Sequence, residues 1–381
     1  MSRTRPHGVY WRDFLKLATA GVAALALVGA LTACGSSAPA PAATQAPAAQ
    51  PTKAAAAAQP TQAAPAATTA PAAAAAPAGK GKVARVAYIM APGGASDKAA
   101  IEFGRWMADR TKGELTVQIF PGGQLGGERD MVESVQMGSM EIGVFGSYVL
   151  SNVTPEYGGV LDVPYLIRDQ DHFRKVVDGP LMKPAYDEML QKKGLRHIAW
   201  ENRGPRYLTS NKPVKEPADL KGVKIRVPEV EVYTAAWKML GATVTPMAFP
   251  ELFLALKQGT VDAQENPFEL ISTSSFYEVQ KYLTLTGHIR AAYEIVVSDK
   301  WFKSLSPELQ KTVSDGLVEM GKLEDKMQVE DDQGYEKTLK EKGMTFLQPD
   351  LPKFQDALKD LPKQFAGKWK PGFYEAVRNL K

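Results

Sequence analysis

In Gly222-Val223-Lys224-Ile225-Arg226-Val227-Pro228 apolar and polar residues alternate with the period of a β-strand, between a glycine and a proline that bound it. Val223, Ile225 and Val227 share one face, so Arg226 points to the other. Arg226 also stands near the carboxyl end of the strand, where open α/β sheets bind ligands. A guanidinium at such a place can grip a carboxylate through two parallel hydrogen bonds. Position alone favours an ordinary salt bridge within the protein.

Around this strand the chain alternates helices with short strands. Val83–Met90 reads as a strand, and Ala100, Phe103 and Met107 place a helix over 97–111. Leu115, Val117 and Ile119 alternate as in a strand, closed by Pro121-Gly122-Gly123. A short helix carrying Met131, Val132 and Val135 ends at Gly138, and Ile142–Phe145 is a strand again. Further strands are predicted at Thr243–Met247 and Glu294–Ser298. The alternation predicts an α/β fold with mostly parallel sheet. Ser306-Pro307 then opens a helical pattern reaching Lys342-Gly343. At about 35 residues it is far longer than a usual globular helix. One helix crossing both halves of a bilobed molecule explains it; two helices broken near Asp331–Gly334 is the rival.

The amino terminus reads as an address. Arg3, Arg5, Arg12 and Lys16 precede an apolar run from Leu17 to Leu31, then Leu31-Thr32-Ala33-Cys34-Gly35. A basic segment, a short apolar segment and small residues before a cut site make a secretory signal. The run is about 15 residues, too short to span a bilayer comfortably. The lone cysteine of the chain, Cys34, falls where a bacterial lipobox would place its lipidated residue. Tyr10-Trp11-Arg12-Asp13-Phe14-Leu15-Lys16 also resembles a twin-arginine signal, with Trp11 where the first arginine would stand, so the export route is open. Residues 36–79 are almost all Ala, Pro, Thr, Gln and Ser, a composition that buries too little apolar surface to fold and suits a stalk.

Several classes are excluded. Net charge is +4 in 381 residues, with no basic run interleaved with aromatics, so nothing points to nucleic acid. G-x-S-x-G, H-E-x-x-H and phosphate-loop motifs are missing. His172, His197 and His288 lack metal-like spacing, and no nucleophile with an evident base can be assembled. No enzyme, cofactor or metal site is expected.

Residues from about 83 to 340 resemble the substrate-binding subunit of tripartite ATP-independent periplasmic (TRAP) transporters, of the dicarboxylate-binding type. The motifs come in order: Lys112-Gly113 with Phe120-Pro121-Gly122-Gly123-Gln124-Leu125-Gly126, then Val160-Leu161-Asp162-Val163-Pro164-Tyr165-Leu166. Arg206-Tyr207-Leu208-Thr209-Ser210-Asn211-Lys212-Pro213-Val214 and the segment from Pro217 to Pro228 follow. Leu240-Gly241-Ala242, the segment from Glu251 to Gly259, and Val261-Asp262-Ala263-Gln264-Glu265-Asn266-Pro267 complete the set. Pro205 and Ala263 depart from the family's usual residues without removing an expected contact group.

The resemblance implies roles. Arg226 looks like the arginine that pairs with the ligand carboxylate, Arg206 like a second basic contact, and Asn266 like the polar residue that orients the same group. Phe249 is similar to an aromatic lining the cleft. Trp200 and Glu201 would touch ligand or support the hinge, Glu128 would face the cleft, and Glu229 could pair with Arg226 in the empty state. The resemblance further implies an α/β bilobed periplasmic-binding-protein fold with a hinge and a long C-terminal helix spanning both lobes. The expected organisation is a signal peptide 1–33, an anchored linker 34–79, a first lobe of 80–203 and 292–331, and a second of 204–291 and 332–381. The expected partners are a small organic acid, the TRAP membrane subunits, and the membrane through lipid on Cys34, with no nucleic acid. A sensory carboxylate-binding protein feeding a receptor would share every one of these residues.

Overall fold

The structure is a computed structural model that describes residues 81–381. The signal segment, Cys34 and the 34–79 linker lie outside the described residues.

Two sheets form the two lobes. The first contains β1 (Lys82–Tyr88), β2 (Leu115–Phe120), β3 (Ile142–Phe145), β4 (Leu195–Pro205) and β10 (Arg290–Ser298). The second contains β5 (Tyr207–Ser210), β6 (Lys224–Val227), β7 (Thr243–Pro246), β8 (Ala263–Asn266), β9 (Tyr282–Thr284) and β11 (Thr345–Leu347). Their orders are β2-β1-β3-β10-β4 and β11-β9-β5-β8-β6-β7. Helices cover the sheets as the alternation predicts. In Ala95–Arg110, Ala99, Phe103 and Met107 line one face and are buried. Glu128–Met137 ends at Gly138, whose φ of 75° is the left-handed conformation that glycine adopts without cost.

The sheets are mixed rather than mostly parallel. β1 runs parallel to β2 and β3, and β6 parallel to β7 and β8. β10 is antiparallel to both β3 and β4, and β5 is antiparallel to β8 and β9. The antiparallel pairs involve the strands that carry the chain between lobes. β4 leaves the first sheet at Pro205 and resumes as β5 in the second one residue later, and the chain returns between β9 and β10. A strand that enters one sheet from the other lobe meets its neighbours head to tail.

The third crossing is the helix Pro307–Glu341, 35 residues without a break near Asp331–Gly334. The Ser306 hydroxyl accepts from the Leu309 N–H at 3.3 Å and caps its start. Val313, Leu317 and Met320 bury one stripe of it. Gly321 lets it pass close to β4: a Cβ there would lie 2.9 Å from the Trp200 carbonyl oxygen. Gly321→Ala therefore gains about 1 kcal/mol of helix propensity but forces helix and strand apart. Overpacking costs about 1–3 kcal/mol, so a net loss of stability of up to about 2 kcal/mol is expected, measured by denaturant unfolding.

The carboxyl-terminal segment corrects the expected division of the lobes. Residues 332–381 were all expected in the second lobe, but the last helix, Phe373–Asn379, packs on the first. The Phe373 ring meets Tyr157 edge-on at 5.2 Å, and His172 Nε2 lies 2.9 Å from the Val377 carbonyl oxygen. Phe373 and Val377 are apolar and four apart, and the first lobe offers the surface that buries them. Among the described residues no helix is long and apolar enough to cross a membrane.

Candidate functional site: a charged cleft between the lobes

A cleft of about 870 Å³, counting its open mouth, lies between the two sheets. Its walls include Glu128, Trp200, Arg206, Arg226, Glu229, Phe249 and Asn266, so seven of the eight residues singled out in the sequence come to one cavity. Asp162, Tyr233 and Tyr293 line it as well.

The two arginines differ in their partners. Arg206 sits where β4 passes into β5, and its guanidinium meets Glu265 of β8: Nε donates to Oε2 at 2.6 Å and Nη2 to Oε1 at 2.8 Å. Nη2 also donates to the Glu265 carbonyl oxygen and the Asn266 side-chain oxygen. Burial opposes the Arg206 charge, but Glu265 more than offsets this and holds its pKa above the ordinary guanidinium value. Burial likewise works to raise the Glu265 carboxyl, yet Arg206 and His288 pull it down to about 2. His288 Nε2 lies 2.9 Å from the same Oε2 that accepts from Arg206 Nε. This is a closed, self-neutralising set.

Arg226 has no such partner. It is 3 % exposed, and among the described residues no carboxylate comes within ion-pair distance of it. Its Nε and Nη2 both donate to the Met247 carbonyl oxygen, at 2.9 and 2.6 Å, which fixes the plane of the guanidinium. The ring of Phe249 lies beneath it at 5.8 Å. Burial lowers its pKa to about 10, while the more distant Glu265 and Glu128 oppose that fall. A cation so buried and left without a counter-charge favours an anion from outside.

The opposite wall is acidic. Glu128 accepts the Gly146 N–H, and burial raises its pKa. Asp162 accepts the Ser151 hydroxyl and is pushed by burial up to about 7. Phenol rings of Tyr233 and Tyr293 fill out the wall, both strongly disfavoured from ionising by burial.

The other expected residues take supporting places. The Trp200 indole N–H donates to the Tyr186 hydroxyl at 2.8 Å, and its ring meets Phe173 edge-on. Asn266 spends both ends of its amide inside the protein, on Arg206 and Gln264. Glu201 is absent from the cavity wall and lies buried at the lobe junction. Glu229 pairs with Arg129 of the first lobe at 3.1 Å, not with Arg226, so that expectation is corrected. The guanidinium plane of Arg226 is committed to Met247, while Glu229 sits half-buried at the mouth beside Tyr148 and Arg129. Glu265, His288, Asp162 and Tyr233 were missed. One signal was present: a glutamate inside the fully buried strand Ala263-Gln264-Glu265-Asn266 requires a cationic partner.

Two sheets joined by three crossings, with a buried cation facing an acidic wall between them, define a bilobed binder of small anions. The chain belongs to the bacterial extracellular solute-binding proteins, family 7, whose model matches residues 86–368. It is 37 % identical over 262 residues to the 2,3-diketo-L-gulonate-binding periplasmic protein YiaO of Escherichia coli, covering 68 % of this chain and 79 % of that one. Among solved structures it resembles a TRAP periplasmic solute-binding protein of Roseobacter denitrificans with bound L-galactonate, at TM-score 0.72 and 33 % identity, over 78 % of this chain and 97 % of that one. A TRAP protein of Polaromonas bound to D-erythronate gives TM-score 0.74 and 33 % identity, over 79 % and 99 %. The chain is thus an extracytoplasmic solute-binding protein of the TRAP transporter type.

Proposed function

We propose that the solute is a polyhydroxylated monocarboxylate, a sugar acid, gripped at its carboxylate by Arg226 and released unchanged. The observation that carries this is the contrast across the cavity: one buried arginine without a carboxylate partner among the described residues, facing Glu128 and Asp162. The buried Arg226 supports one carboxylate; Arg290, the other cleft arginine without an ion pair among the described residues, is only partly buried. The acidic wall accepts hydroxyl hydrogens and opposes a second carboxylate, because like charges in a desolvated cleft repel. The solutes of the relatives, diketogulonate, galactonate and erythronate, support the same class.

In this reading Arg206, held by Glu265, and Asn266, held by Arg206 and Gln264, form a preformed second contact, Phe249 stacks beneath the carboxylate grip, and Trp200 braces the wall. The lobes close over the solute by hinge motion at the three crossings. Lipid on Cys34 tethers the molecule and the 34–79 segment serves as its stalk, as the lipobox-like Leu31-Thr32-Ala33-Cys34 suggests.

Calorimetry with L-galactonate, D-erythronate, gluconate and succinate tests the class. Hydroxylated monocarboxylates should bind at least about tenfold more tightly than the dicarboxylate, a difference of about 1.4 kcal/mol. Equal or stronger binding of succinate would remove the sugar-acid reading, and failure of every acid would remove carboxylate capture.

A further inference from the structure

A second buried ionic cluster lies at the lobe junction, behind Tyr293. Arg203 of β4 is fully buried, its guanidinium over the Tyr293 ring at 4.9 Å. It pairs with Glu269 and Glu324, and its Nη1 donates to the Ser96 hydroxyl oxygen at 2.9 Å. The Ser96 hydroxyl in turn donates to Glu201 at 2.7 Å. Four elements meet here: the first-lobe helix Ala95–Arg110, β4, the second-lobe helix Phe268–Thr273, and the long helix Pro307–Glu341.

Glu269 is the member contributed by the second lobe. It also accepts the Ala95 backbone N–H at 3.0 Å, at the start of the helix whose dipole favours a carboxylate there. Glu269 therefore holds two groups on the first-lobe side at once, Arg203 and the Ala95 N–H. Both contacts must break for the lobes to part.

The charges do not balance. Glu201, Glu269 and Glu324, each at most 1 % exposed, face one guanidinium. The remaining titratable neighbours add little relief. Asp325 is tied to Arg174, Asp332 accepts from Gln328, the Tyr88 hydroxyl donates to Asp97, and Tyr293 and Tyr335 are neutral phenols. Three carboxylates buried this deeply cannot all stay ionised beside one cation. One oxygen each on Glu201, Glu269 and Glu324 lacks a hydrogen bond of good geometry among the described residues, though that of Glu269 keeps its ion pair with Arg203.

We propose that Glu269 is the positioning residue that holds the lobes shut, and that Glu201 and Glu324 take up protons when it does so, making solute capture proton-linked. This rests on the capture role proposed for the cleft. Burial, reinforced by the neighbouring acids, pushes Glu201 up to about 7 and holds Glu324 well above the ordinary range. When water enters the opened junction, both return toward ordinary carboxylate values. The closed form therefore keeps protons that the open form releases. Closure is favoured at low pH and lost as pH rises through about 7.

The test is the distance between spin labels at Met137→Cys in the first lobe and Leu254→Cys in the second, both exposed sites, in the full chain with Cys34→Ser. It is followed from about pH 6 to about pH 9, without solute and with L-galactonate as probe. The closed-to-open ratio should fall above neutrality by up to about tenfold per pH unit for each proton. Glu201→Gln with Glu324→Gln, neutral at every pH, should stay closed across the range. Glu269→Gln should open at every pH. A pH-independent distance in the parent chain overturns the proposal. So does a pH response that survives Glu201→Gln with Glu324→Gln, or one abolished by Asp162→Asn alone, which would assign it to the cleft. If L-galactonate changes nothing while the solute-free response persists, the solute class fails and the proton link stands.

Discussion

Arg226→Ala is expected to abolish measurable carboxylate binding in calorimetry while the far-ultraviolet circular dichroism stays that of the parent chain. Arg226 is a buried cation of the cleft without an ion-paired carboxylate among the described residues, and Met247 already fixes its orientation by two hydrogen bonds. A solute carboxylate arriving there gains a preorganised partner; with the guanidinium removed, it enters a desolvated cleft beside Glu128 with nothing to offset its charge. Truncating one member of a buried charge pair costs about 2–5 kcal/mol or more, roughly thirtyfold to several thousandfold in affinity. Folding should tolerate the change, because a buried charge is being removed rather than stranded. Arg226→Lys tests geometry apart from charge: an ammonium cannot reproduce the planar two-bond grip, so affinity should fall by at least about tenfold. Parent-like affinity in a folded Arg226→Ala protein would rule out the assigned grip.

Glu265→Gln is expected to have the opposite profile, a large loss of stability. Glu265 neutralises Arg206 and also meets His288, with Glu265 itself fully buried and both partners largely so. Its loss strands a buried guanidinium, at a cost of about 3–5 kcal/mol. For a protein of this size that is on the order of 5–15 °C in melting temperature, measured by calorimetry at neutral pH. The pH dependence has a definite sign. The Glu265 pKa is depressed to about 2 in the fold, so its stabilisation is fully present above the ordinary carboxylate range. It is lost as pH falls from there toward about 2. The gap in stability between parent and Glu265→Gln should therefore narrow on acidification. A variant as stable as its parent would show that Arg206 does not depend on this carboxylate.

The residues of the cleft were legible to different degrees for physical reasons. Arg226 announced itself because a charged residue in an alternating strand must face away from the apolar side, and β6 places it at the cleft. The helix from Ser306 was legible over its first half, where Leu309, Val313, Leu317 and Met320 keep the apolar period; beyond it the polar Glu324 and Gln328 carry the buried stripe, so the sequence left a break near Asp331–Gly334 open. Glu265 was quoted within a motif but not singled out, since its partner lies 59 residues earlier and sequence spacing carries no trace of that pairing. Glu229 was misassigned for the complementary reason: adjacency to Arg226 suggested contact, whereas Arg129, 100 residues away, supplies it. The mixed sheets and the returning tail helix depend on where the chain crosses between lobes, which no local period encodes.

The 35-residue helix has one mechanical consequence. Along its outer face Lys311–Asp315, Glu319–Lys322 and Glu336–Lys340 pair within the helix itself, so its straightness is not borrowed from either neighbour. It behaves as a common axle. Each half of the molecule bears against the same rod, and a small swing of one half is measured against an axis that the other half already grips.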